Sequence, residues 1–218
     1  EPWGSIAVAQ GVGVILTTKA HIWRSSPEKV LGVRTEWAEA DPERLDSLVR
    51  AVYRAAIWCD EPANRDELAE LLARPEHIGQ PVDWLRPGLT RQLTAPDGSQ
   101  HAVPDLLTFA ARAATFPWIS HALWFYTQMV RWHQAPLSAE ALAIAAATYR
   151  PDLYRRALKP LGAVLPSSNS KIEGALRTET PAGSATGRLS LGPDGFFDGR
   201  GFDPEEATAY LAALGFEN

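Results

Sequence analysis

Residues that could carry covalent or acid–base chemistry are sparse in this sequence. Ser168-Asn169-Ser170-Lys171 has the spacing of a serine–lysine nucleophile pair, in which the amine takes the hydroxyl proton. That chemistry needs the serine at a helix start in an apolar cleft, with companion motifs that this sequence lacks. A run of Ser and Asn is otherwise ordinary loop chemistry, because these side chains bond to their own backbone. G-x-S-x-G, the phosphate-binding P-loop, H-E-x-x-H and the dinucleotide fingerprint do not occur. The five histidines are scattered. His121 sits on an apolar stripe and reads as a hydrogen-bonded core histidine. Asp194-Gly195 and Asp198-Gly199 hint at calcium, but a calcium loop needs oxygen ligands at nearly every second position and a terminal Glu. Turn chemistry accounts for them better. The single Cys59 excludes an internal disulfide and a cysteine-based metal cluster. These residues therefore give no catalytic group and call for no cofactor.

Composition narrows the binding partner. Hydrophobic residues make up 45% of 218 and charged residues 22%, which is ordinary for a globular chain. The net charge of -5 provides no basic field for nucleic acid or acidic lipid, so no direct nucleic-acid binding is expected. No apolar run approaches the ~20 residues that span a bilayer. The opening Glu1-Pro2-Trp3 lacks the basic and apolar regions of a signal peptide and reads like the middle of a longer protein.

The elements that must position these residues are mostly helices. Residues 3–10 read as a short helix, followed by a Gly11-Val12-Gly13 turn and a strand over 14–18, since Val14-Ile15-Leu16 is apolar and rich in β-branching. A second extended run covers 29–33. Asp41-Pro42 starts a helix whose apolar face is Leu45, Leu48, Val49, Val52, Ala56 and Cys59. Asn64 is placed to cap another through Leu72, and 82–89 adds a turn or two. Pro96-Asp97-Gly98 is a turn. The strongest helix spans 117–132, where Trp118, His121, Ala122, Phe125, Met129 and Trp132 form one stripe. That spacing predicts Trp118, Phe125 and Trp132 in the core, with Trp124 and Tyr126 facing elsewhere. Ser138 caps an Ala-rich helix, and 152–161 forms another that Gly162 ends. Residues 166–201 turn to Ser, Gly, Thr and Pro, a length beyond the ~15 residues usual for a loop, which predicts a wrapping arm. Asp203-Pro204 opens a last helix whose Tyr210, Leu211 and Leu214 give it a docking side.

Several ordered segments carry a family likeness. They begin with Glu1-Pro2-Trp3-Gly4, the glycine-rich turn into Val14-Ile15-Leu16, and Ile22-Trp23 followed by Pro27-Glu28-Lys29-Val30-Leu31-Gly32. Trp37-Ala38-Glu39, Phe116-Pro117-Trp118, Trp124-Phe125 with Thr127-Gln128-Met129, and Arg131-Trp132 continue the series. Tyr149-Arg150-Pro151-Asp152 and Phe196-Phe197-Asp198-Gly199 complete it. Together they resemble the nitrate- and bicarbonate-binding proteins of ABC importers over essentially the whole chain. Ser120-His121-Ala122-Leu123-Trp124-Phe125 and Gly192-Pro193-Asp194-Gly195-Phe196-Phe197 most resemble the NasS-type branch, cytoplasmic sensors of nitrate and nitrite that sequester an RNA-binding antiterminator.

The resemblance implies an α/β fold, the C-terminal portion of a two-lobed, type II periplasmic-binding-protein-like structure, mostly helical with a few strands. Residues 1–165 would form a partial α/β lobe with a helical C-terminal region, and 166–218 an irregular wrapping arm ending in a short helix. Members of the family are longer, and Glu1, Pro2 and Trp3 match their hinge, the crossover between lobes. Most ligands of the anion in the family lie outside the matching part. Transporter members place a lysine soon after the Pro-Glu-Lys-Val segment; Thr35 stands there in this sequence, with Arg34 adjacent. A guanidinium offers charge-assisted donors to a planar oxyanion and a hydroxyl offers one neutral bond. The implied function is nitrate or nitrite binding by a cytoplasmic sensor partnered with an antiterminator. The alternative is the substrate-binding subunit of a nitrate ABC transporter, periplasmic or membrane-associated, partnered with a permease.

Overall fold

Asp41 opens the longest helix by accepting a hydrogen bond from the Arg44 amide at 3.0 Å, with Pro42 at a first-turn position where no donor is needed. The computed structural model describes residues 1–216. Its helices are α1 (Trp3–Ala9), α2 (Lys19–Ile22), α3 (Thr35–Ala40), α4 (Pro42–Asp60), α5 (Arg65–Ala73) and α6 (Val82–Thr90), followed by the hairpin β1 (Gln92–Thr94) and β2 (Gln100–Ala102). After these come α7 (Ile119–Arg131), α8 (Ala139–Thr148), α9 (Pro151–Leu158), the hairpin β3 (Thr180–Ala182) and β4 (Leu189–Leu191), and α10 (Ala207–Ala213). Both hairpins are antiparallel, with Leu93 opposite His101 and Pro181 opposite Ser190. The Pro96-Asp97-Gly98 turn closes the first, where Asp97 accepts from the Ser99 amide and Gly98 takes φ +84°.

The caps behave as their chemistry dictates. Ser138 accepts from the Ala141 amide, Gly162 ends the turn after α9 at φ +62°, and Asp203 accepts from the Glu205 amide before α10. Asn64 does not cap. It lies inside a 3-10 turn over Pro62–Asn64 with helical φ/ψ, and its side chain donates instead to the Trp58 carbonyl.

Two expectations are overturned. Residues 14–18 and 29–33 belong to no β-ladder among the described residues, because a strand exists only against a partner and none of the described segments pairs with them. The buried face of α7 is also rotated from the predicted one. Phe125 is 38% and Trp132 61% exposed, whereas Tyr126 is buried and Trp124 packs against the Leu123–Phe202 cluster. Ser120, Leu123, Thr127 and Val130 form the seam, so the helix packs through small and hydroxyl side chains. Thr127 satisfies its hydroxyl on the Trp124 carbonyl at 2.7 Å, which removes the cost of burying it.

Around α7 the core has three parts. Phe116 and Trp118 pack on Leu191 of β4; Leu123 on Phe202 and Ala207; Tyr126 and Val130 on Leu211 of α10. The last helix therefore docks as its apolar side predicts. The arm is irregular but fastened. Arg155 of α9 donates to the Pro166 and Ser168 carbonyls and to Asn169 Oδ1, at 2.9, 2.6 and 2.6 Å. Gly174 takes φ +78° against Phe196, where an added Cβ would lie 2.2 Å from the ring, so only glycine permits this approach.

Asp60, the last residue of α4, joins the helix to the loop leading toward α7. Its carboxylate accepts from the amides of Phe109, Ala110 and Ala111 at 2.9, 2.7 and 2.7 Å. Replacing it with alanine leaves three amide donors unmatched. Asp60→Ala is expected to cost about 2–4 kcal/mol in chemical denaturation. Asp60→Asn, which keeps one acceptor, is expected to cost less.

Candidate functional site

The start of α7 delivers Ser120 and His121 to the arm. Ser120 Oγ donates to Glu173 Oε1 at 2.6 Å and accepts from the Lys171 amide at 3.3 Å. His121 Nε2 lies 3.4 Å from Glu173 Oε2. Lys171 Nζ donates to the same Glu173 oxygen and, at 2.5 Å, to Asp194 Oδ2, while Asp194 Oδ1 accepts from the Leu176 amide at 2.9 Å. Glu173 has no exposed surface. Burial alone would raise its pKa, but His121 and Lys171 together outweigh burial and hold it at about 2. A buried carboxylate is tolerable only when each oxygen is matched, and here both are.

Lys171, His121 and Asp194 also face a cavity of about 510 Å³, which Trp23 and Trp118 line as well. Trp23 is buried against His121, Trp124 and Phe196, with ring centroids 5.9, 4.6 and 4.7 Å away. Lys171 Nζ stands 6.0 Å over the Trp118 ring, a cation–π distance. On another wall, Asp105 accepts from Arg24 Nε at 2.5 Å and from Arg112 at 2.7 Å, and Arg112 continues to the Gly192 carbonyl. Burial opposes ionisation of Asp105, yet the two guanidiniums win and lower its pKa. Lys19 donates to the Pro27 carbonyl at 3.0 Å; burial is the main cause of its lowered pKa, partly offset by Glu28.

The residues singled out in the sequence fall in two places. Glu1 and Pro2 line the cavity beside Gly88 of α6, whose added Cβ would meet the Glu1 side chain at 3.1 Å. Glu1 also accepts from the Ser5 amide at 3.2 Å, at the start of α1. Trp3 is 65% exposed. Arg34 and Thr35 lie at the N-terminal end of α3 in solvent, away from the cavity lining, with Arg34 Nε 3.4 Å from Glu36. Ser168 and Lys171 do not act as a pair: Ser168 Oγ donates to the Ser170 carbonyl, while Lys171 turns to two carboxylates. Asp194 serves this ion cluster, and Asp198 accepts from the Arg200 amide as turn residues do. No group of three or more His, Cys, Asp or Glu among the described residues is arranged to hold a metal. The Lys171–Glu173–Asp194 cluster was not foreseen. Its one sequence signal is the spacing of Lys171 and Glu173, two apart in an extended segment and thus on one face.

Residues 1–73 match the NMT1-like family. The nitrate/nitrite binding protein NrtA of Synechococcus elongatus is 34% identical over 100% of this chain and 45% of its own length. The nitrate import ATP-binding protein NrtC of Synechocystis sp. PCC 6803 is 34% identical over 74% of this chain and 24% of its own. The crystal structure of the periplasmic nitrate-binding protein NrtA from Synechocystis PCC 6803 superposes with a TM-score of 0.83 at 30% identity, covering 98% of this chain and 52% of that one. The chain is homologous to the NrtA-like nitrate- and bicarbonate-binding proteins. It spans about half the length of the NrtA relatives it matches. Its fold is therefore about half of an NrtA-type α/β structure, helix-rich with few strands.

The low pKa of Glu173 has a signed consequence. A folded-state value near 2, below the ordinary glutamate value of 4.5, contributes stability that is fully present above about pH 4.5 and is lost as pH falls toward 2. Acid titration of unfolding is expected to show this loss, and Glu173→Gln to flatten it. At neutral pH, Glu173→Ala is expected to cost about 3–5 kcal/mol, the range for breaking a buried ion pair.

Proposed function

We propose that this chain forms part of the substrate-binding subunit of an ABC importer for a small oxyanion, with nitrate or nitrite as the ligand. The observation that carries this reading is the superposition of 98% of the chain on the periplasmic nitrate-binding protein NrtA. Relatives named as nitrate import and bicarbonate transport ATP-binding proteins support an importer as the setting. On this reading the protein works outside the cytoplasm, beside a permease.

Binding proteins of this kind act by closing on the ligand, and closure transmits binding only if the closed state holds the anion better than the open one. A small anion gives up its hydration only for several aligned donors. We place Arg34 and Thr35 among them, with Glu1, Pro2 and Trp3 as the hinge. Both donor residues are exposed here and so are open to a cleft that the rest of an NrtA-length protein would complete. The sensor reading, cytoplasmic and with an RNA-binding antiterminator in place of the permease, rests on the 120–125 and 192–197 segments. The names of the relatives favour the importer. Tagged pull-down from nitrate-grown cells separates the two by what is recovered, permease components or an RNA-binding protein.

The chain alone is expected to bind nitrate and nitrite weakly or not at all in calorimetry; micromolar affinity would overturn the split-cleft reading. In an NrtA-length protein carrying this chain, Arg34→Ala is expected to weaken nitrate binding by about 1.5–3 kcal/mol, and Thr35→Ala by nearer 1 kcal/mol. A larger effect at Thr35 would mean the segment is rotated. Changes below about 0.5 kcal/mol at both, with folding intact, would remove this segment from the site.

A further inference from the structure

A second cavity, of about 380 Å³, is lined from α4, α9 and the arm, and shares only residues 112, 113 and 115 with the first. Its apolar walls are fixed. Tyr53 and Phe116 stand edge-on to Tyr154, with ring centroids 6.4 and 5.7 Å away. The β3–β4 hairpin is held close on the other side. Thr186 Oγ1 donates to the Ala163 carbonyl at 2.7 Å, and a Cβ added to Gly187 would lie 2.8 Å from Val164. The polar lining has a donor to spare. Thr115 Oγ1 and the Tyr154 hydroxyl share one bond at 2.6 Å, and whichever donates, the other's proton has no acceptor among the described residues. Burial raises the pKa of Tyr154, so the phenol keeps its proton.

Glu179 and Arg188 complete the lining with opposite charges, both exposed. Thr180 pairs with Leu191 and Ala182 with Leu189, so Glu179 stands one step beyond one end of the ladder and Arg188 one step beyond the other. They share a face of the hairpin, separated along the strands by roughly 13 Å. Exposed charges that far apart attract each other little, because salt screens them beyond about 10 Å. Arg112, the other cation in the lining, is taken by Asp105 and the Gly192 carbonyl, whereas Glu179 and Arg188 enter no ion pair among the described residues. A ligand with both charges can meet each of them. We propose that this cavity binds a small, elongated zwitterion: Arg188 takes its carboxylate, Glu179 takes its amine, and an apolar chain between them lies along Tyr53, Val164 and Leu189. The planar guanidinium suits a carboxylate, which it can hold through two parallel bonds.

The probes are ε-aminocaproate, which carries both charges, and hexanoate and hexylamine, which carry one each. In an NrtA-length protein carrying this chain, calorimetry is expected to show ε-aminocaproate binding at least about tenfold more tightly than either single-charge probe, as one charge-assisted bond is worth. Arg188→Glu alone and Glu179→Arg alone are each expected to weaken ε-aminocaproate by about tenfold or more. Both substitutions together exchange the two charges and are expected to restore binding, with the ligand reversed. Arg188→Gln and Glu179→Gln repeat the single losses without reversing a charge, should either reversal disturb the fold. Nitrate affinity, measured on the same proteins, is expected not to change, so this site and the importer reading fail separately. The proposal is overturned if ε-aminocaproate does not bind, if hexanoate or hexylamine binds as tightly, or if the folded double variant is as weak as the single ones.

Discussion

The contact between α7 and the arm over residues 166–201 is organised by one buried carboxylate, Glu173. The arm has little regular structure of its own beyond a hairpin of three-residue strands, too short to be stable alone. Beside the Arg155 bonds from α9, what ties it to α7 is Glu173, which takes a proton donor from α7 on one oxygen and the arm's own Lys171 on the other. Desolvating a charge so completely is costly, and that cost makes the geometry specific: the carboxylate is stable only where Ser120, His121 and Lys171 converge. Asp194 extends the constraint to the segment before Phe196, and Phe196 in turn packs on Trp23 and Trp124. The wall of the cavity thus follows from a polar contact rather than from apolar packing alone.

The helices were legible because their signals are local. Asp41-Pro42, Ser138, Gly162 and Asp203-Pro204 each act within a turn of themselves, and each does in the structure what its type predicts. The face of α7 was not legible. Apolar residues surround that helix, so periodicity could not choose a side, and the packed side proved to carry two hydroxyls whose bonds only the structure reveals. The strands at 14–18 and 29–33 were read from composition, but a strand is a relation between segments, and composition describes only one of them. At the site, His121 was legible as a core histidine. Its partner Glu173 was not, because the two lie far apart in sequence and nothing local links them.

The disposition of the cations bears on where an anion can bind. Lys171 is shared by two carboxylates, Arg112 is engaged by Asp105 and Gly192, and Lys19 is turned onto the Pro27 carbonyl. Each of these donors is matched within the chain, and an entering anion would have to break an existing bond to use it. Their work is structural. A site that competes with water needs donors held in place but not already satisfied. At the exposed edge, Arg34 has only a long contact to its solvent-facing neighbour Glu36, and the Thr35 side chain is in solvent. These interior cations are therefore part of the scaffold.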